Sequence, residues 1–235
     1  MTLPKVQLPD TRVASHRPQP PPVVEDVKPL KLPDIPLPID IEPTFHDDLE
    51  LNALLPGLVQ GEPTALLLDT NNLFHSSKEL GFRIDYAKLR NIFTNRCDLR
   101  ACMAFSATDP NSADATKWVN FMTRSGYKLV TEPIKRHIDG RGRSVTKGNM
   151  DIPLTIAAMS LSPGFKHVII GTCDGDFVPL VENLREGGMR TVSVLGMRAG
   201  SNNIAMSEAL VESAKHFYNL YDMQKYISLP PRRTQ

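Results

Sequence analysis

From Thr64 onward, short runs of consecutive apolar residues alternate with longer stretches of helical periodicity. Ala65-Leu66-Leu67-Leu68 stops at Asp69, and Val168-Ile169-Ile170 stops at Gly171-Thr172-Cys173-Asp174-Gly175-Asp176. Unbroken apolar runs of strand length suit strands buried on both faces. Such strands occur in parallel sheets whose crossovers are helices. The stretches between them supply those helices. Ala115, Trp118, Val119 and Met122 recur at helical spacing in a helix expected over 109–126. Phe177, Leu180, Val181 and Leu184 do the same after the second run. Further strands are expected over 99–105, 127–132 and 191–195. Further helices are expected from Asn72 and over 86–95, 151–161 and 204–215. The 151–161 stretch is apolar nearly all round and is expected to be buried. The expected fold class is α/β, a mostly parallel central sheet with helices on both faces.

Residues 1–60 have a different composition. They hold twelve of the chain's twenty prolines, including Pro20-Pro21-Pro22. Proline at that density removes backbone donors and favours extended chain. The expected organisation is a proline-rich, disordered or extended arm over 1–60, a folded domain over 61–228 and a basic tail over 229–235. Leu49, Leu54, Leu55 and Leu58 leave two readings of the arm open, a plain tether or a segment that docks on a protein partner. Cys97, Cys102 and Cys173 show no CxxC spacing, which argues against a disulfide framework or structural zinc. There is no apolar signal region and no run long enough for a bilayer, so a cytoplasmic protein without membrane association is expected. Oligomeric state stays open. With a net charge of +1 the chain has no global basic field, and any affinity for nucleic acid must come from local charge.

The chemistry gathers at strand ends. Asp69 closes the first apolar run, with Asn71 and Asn72 behind it. Asp151 opens a helix, and Asp174 and Asp176 follow the 168–170 strand. In an open α/β sheet, strand ends and the starts of the following helices share one edge, so these carboxylates are expected to converge. Packed carboxylates need a countercharge. Mg²⁺ or Mn²⁺ supplies one through oxygen ligands and suits phosphodiester cleavage. The plainer reading is that Asp174 forms a turn and Asp176 caps a helix. Asn72 reads either as a cap or as a residue that orients the carboxylates. The stretch 135–147 carries Lys135, Arg136, Arg141, Arg143 and Lys147 around Gly140 and Gly142. A mobile basic loop of this kind fits a nucleic-acid backbone. No G-x-S-x-G, H-E-x-x-H or Walker lysine loop is present.

With these motifs assembled, the chain resembles the NYN-domain family of PIN-like nucleases, in its LabA-like branch. Leu67-Leu68-Asp69-Thr70-Asn71-Asn72 is similar to the family's opening strand. Lys147-Gly148-Asn149-Met150-Asp151 is similar to its K-G-x(x)-D element, and Cys173-Asp174-Gly175-Asp176-Phe177 to its S-D-x-D-F segment. The resemblance runs from about Thr64 to Tyr221. It implies a Rossmann-like PIN fold and divalent-metal-dependent cleavage of RNA, with Asp69, Asp151, Asp174 and Asp176 as metal ligands. The preference for RNA over DNA comes from the resemblance alone. Two departures stand out: Cys173 replaces a serine, and Lys215 replaces an aspartate common in the last helix. If Lys215 points at the carboxylates, it offsets one of them. That keeps open a non-catalytic RNA-binding module, and a third reading is an assembly or regulatory protein acting through the arm.

Overall fold

A computed structural model describes residues 45–138, 144–147, 150–186, 188, 190–200 and 206–230, with side chains described except over 45–48, 135–138 and 144–147. The elements are α1 (Phe45–Ala53), β1 (Pro63–Asp69), α2 (Thr70–Glu79), α3 (Tyr86–Thr94), β2 (Asp98–Thr108), α4 (Ala113–Arg124) and β3 (Lys128–Pro133). The antiparallel hairpin β4 (Lys135–Ile138) and β5 (Ser144–Lys147) comes next, then α5 (Asp151–Met159) and β6 (His167–Gly171). A 3-10 turn, Gly175–Phe177, leads into α6 (Val178–Arg185), β7 (Thr191–Gly196), α7 (Glu208–Ser213), β8 (His216–Asn219) and α8 (Gln224–Ile227).

Six strands form one parallel sheet in the order β3-β2-β1-β6-β7-β8. The chain builds outward from β1 through β2 to β3, then crosses back to β6 and builds the other way. Right-handed crossovers therefore change face at that point. The reversal between β1 and β6 is a topological switch point, where the carboxyl ends of the strands open a crevice. Ala65 to Leu68 at the centre are fully buried, as are Val168 to Ile170 beside them. The two strands sit tightly: a Cβ on Gly171 would lie 2.3 Å from Leu68 Cδ2.

Several expectations change. The segment expected as arm over 1–60 contributes structure before position 61. Helix α1 and the turn after it place Leu51 and Leu55 in the core, and Tyr218 donates to the Pro56 carbonyl at 3.0 Å. The remainder of the arm, 1–44, lies outside the described residues, as do 231–235 of the tail. The basic stretch is a hairpin on either side of 139–143, with Lys135 opposite Lys147. Helix α5 is not buried all round: Leu154 and Ala158 face the sheet, while Ile152, Ile156 and Met159 are exposed. The helix expected over 204–215 is only Glu208–Ser213 where it is described, and the aromatic stretch after it is an edge strand, β8.

Candidate metal centre

Asp69 ends β1 and caps α2, its Oδ1 accepting the Asn72 amide at 3.1 Å. The next three residues tie neighbouring strand ends together. Thr70 Oγ1 donates to the Phe105 carbonyl of β2 at 2.8 Å. Asn71 pairs both ways with Ala107 on the same strand: Oδ1 accepts the amide at 2.7 Å and Nδ2 donates to the carbonyl at 3.2 Å. Asn72 Oδ1 reaches the other way and accepts the Cys173 amide, just past β6, at 2.7 Å. One helical turn thus fixes the ends of β2, β1 and β6 against one another. Asn72 is a positioning residue here, holding the turn that carries Asp174 and Asp176. The parts played by Thr70 and Asn71 were not legible in the sequence, because a polar residue in a first helical turn is ordinarily just a cap.

The turn after β6 is closed by its own side chains. Thr172 Oγ1 accepts the Asp174 amide at 3.2 Å, and Asp174 Oδ1 accepts the Asp176 amide at 3.0 Å, starting the 3-10 turn. Phe177 anchors that turn in the core. Asp174 therefore makes the turn, as the plainer reading has it, and also takes the capping role that reading gave to Asp176, but a cap occupies only one carboxylate oxygen. Asp151, in the first turn of α5, brings its carboxylate to the same place. One oxygen each from Asp151, Asp174 and Asp176 lies within 4.8 Å of the others.

Asp69 stands behind this group and is not one of the three whose oxygens meet. It is 6% exposed, and burial pushes its carboxyl up to about 6 from the ordinary 3.8. The charges of Asp151 and Asp174 push the same way, while the Asn72 amide pulls it down. The expected set of four becomes three carboxylates in contact and a fourth in their field. Three hard oxygen donors with no soft ligand among them fit Mg²⁺ or Mn²⁺, and a divalent ion would relieve the repulsion among these carboxylates, which adds to the effect of burial on Asp69.

The hairpin grows from this same edge. Ile134 follows β3 and donates its amide to the Thr108 carbonyl at the carboxyl end of β2, and α5 begins with Asp151 shortly after β5. Lys135, Arg136 and Lys147 lie on its strands by backbone position, while Arg141 and Arg143 lie outside the described residues. Lys215 is elsewhere. Its amide donates to the Val192 carbonyl at 2.8 Å, at the amino end of β7, so it sits on the opposite edge of the sheet from the carboxylates. The reading in which it faces them needs a helix running through 215; the chain there is already extended.

Comparison with known proteins bears on the fold and the family. The chain is 25% identical over 175 residues to the low amplitude and bright protein LabA of Synechococcus elongatus, covering 72% of this chain and 89% of that one. A crystal structure of a protein of unknown function from Vibrio parahaemolyticus superposes with a TM-score of 0.61 at 22% identity, over 72% of this chain and 98% of that one, and so shares the fold. The NYN domain profile matches residues 63–221, from the first residue of β1 to the residue that follows Leu220 beyond β8. This chain belongs to the NYN-domain family.

Proposed function

We propose that this protein is a divalent-metal-dependent endoribonuclease. The observation that carries the reading is the meeting of Asp151, Asp174 and Asp176, from two distant chain segments, at the switch point of a parallel sheet. Asp151, Asp174 and Asp176 would hold Mg²⁺ or Mn²⁺, with Asp69 reinforcing the negative field behind them. When bound, the ion supplies activation of water and neutralisation of charge on the phosphodiester.

The chain's own residues do the rest. Asn72 keeps the β6 turn in register with α2, so that Asp174 and Asp176 meet Asp151. The hairpin emerging beside the site carries Lys135, Arg136 and Lys147, with Arg141 and Arg143 between its strands. They would grip the RNA backbone through phosphate charge, without reading sequence. The non-catalytic alternative drew on Lys215, which is too far round the sheet to offset a carboxylate.

The test is incubation with mixed RNAs in EDTA, Mg²⁺ and Mn²⁺, beside Asp174→Asn. Metal-dependent fragments from the wild type and their loss in the variant are expected. RNA left intact by the wild type in both metals, or equal cleavage by the variant, would overturn the reading.

A further inference from the structure

We propose that Arg198 is a phosphate-binding residue of this site, held beside the carboxylates by Glu208 and passed to an RNA phosphate when substrate enters. The inference deepens the nuclease reading and rests on it.

The placement comes from three backbone segments that meet at one residue. The Met197 amide reaches the Cys173 thiol, and the Ser207 amide donates to the Cys173 carbonyl at 3.1 Å. The residue following each of these is then the one of interest. Asp174 follows Cys173, Arg198 follows Met197 and Glu208 follows Ser207. Arg198 Nη2 and Glu208 Oε2 are 3.0 Å apart. The close approach depends on Gly196, where a Cβ would lie 2.9 Å from the Thr172 carbonyl oxygen and 2.2 Å from Met206 Sδ. Arg198 thus lies just past the carboxyl end of β7, the strand next to β6, at the same edge as the metal ligands.

The backbone of Arg198 is fixed more firmly than an incidental surface arginine requires. Asn219, at the end of β8, clamps its peptide from both sides: Oδ1 accepts the Arg198 amide and Nδ2 donates to the Arg198 carbonyl, each at 2.9 Å. Asp222 in turn accepts from the same Nδ2 at 2.9 Å. The side chain, by contrast, is free to exchange partners. Arg198 and Glu208 side chains are 40% and 55% exposed, and a solvent-exposed ion pair of this kind is weak. A phosphate offers the guanidinium two parallel charge-assisted bonds, which a lone carboxylate contact in water does not match. Glu208 therefore acts as a placeholder that keeps Arg198 extended at the rim, and substrate displaces it.

This predicts opposite signs for the two partners, which a purely structural ion pair does not. RNA binding is measured by anisotropy with a labelled single-stranded RNA in EDTA, across a salt series, on the full chain. Arg198→Gln should weaken binding about tenfold and reduce the salt slope by about 0.7, one phosphate contact on a single strand. Glu208→Gln should tighten binding several-fold by freeing the guanidinium. Arg198→Lys should keep the salt slope while losing part of the affinity, which guards against a misfolded glutamine variant. If both neutral variants change binding in the same direction, or neither changes it while the wild type binds RNA, Arg198 is not a phosphate ligand. A wild type that neither binds nor cleaves RNA defeats the nuclease reading itself.

Discussion

Asp69 and His167 titrate in overlapping windows with opposite signs. Asp69 has its carboxyl raised to about 6 from 3.8, so its folded state holds a proton that the unfolded chain has lost. Its contribution favours folding at low pH and is lost as pH rises from 3.8 to 6. His167 is fully buried, with Nε2 2.7 Å from Ser193 Oγ and Nδ1 without a partner. Burial, with a smaller push from His216, lowers its pKa to about 4 from 6.5. Its contribution is complete above 6.5 and is lost as pH falls towards 4. Between pH 4.5 and 7 each is worth about 2 kcal/mol, so they nearly cancel in the wild type. In urea unfolding with EDTA, Asp69→Asn should lose about 2 kcal/mol more than the wild type on going from pH 7 to 4.5, and His167→Gln should lose about 2 kcal/mol less. Profiles parallel to the wild type would contradict both assignments. The clustering of Asp151, Asp174 and Asp176 was legible because strand ends and helix starts share one edge in this class of sheet. The depth of Asp69 was not, since nothing in Leu-Leu-Asp-Thr says how far the last carboxylate sinks.

At the scale of elements, the central strands were legible because unbroken apolar runs have few alternatives. The elements missed were those lacking such a run. Strand β8, His216–Asn219, is a short edge strand in which Tyr218 is buried and its neighbours are half-buried, and the helix before it ends at Ser213 without glycine or proline to mark the stop. Helix α1 lies among prolines that suggested extended chain, although it buries Leu51 and the turn after it buries Leu55. Helix α5 misled for a different reason: an apolar composition does not say which face meets the sheet. Leu154 is fully buried and Ile156 is 61% exposed. Leu154→Ala should therefore cost about 2–5 kcal/mol in chemical denaturation. Ile156→Ala should stay within about 0.5 kcal/mol of the wild type. Similar losses at both positions would mean that α5 is rotated or covered.

The whole molecule is organised by its switch point. Building outward from β1 in both directions leaves one crevice, and β1, β6 and α5 each deliver a carboxylate to it or behind it. The same frame takes in residues before position 61. Glu50 meets Lys225 and Tyr226 of α8, Asn52 accepts from Arg96 at 2.9 Å, and Leu51 and Leu55 are buried. A chain lacking residues 1–60 forfeits two buried leucines, about 3–6 kcal/mol, and should unfold well below one lacking only 1–44. Equal melting of the two truncations would show that α1 is dispensable.

The central claim is that α5 and the turn after β6 build a single metal site, and its most direct test is Mn²⁺ titration followed by thermal unfolding. The wild type should gain stability by ligand linkage, about 2.7 kcal/mol at a hundred times Kd. Asp151→Asn and Asp174→Asn, on separate elements, should each stay folded and lose that gain. A wild type whose melting ignores millimolar Mn²⁺, or an Asp151→Asn variant that shifts as much as the wild type, would contradict it.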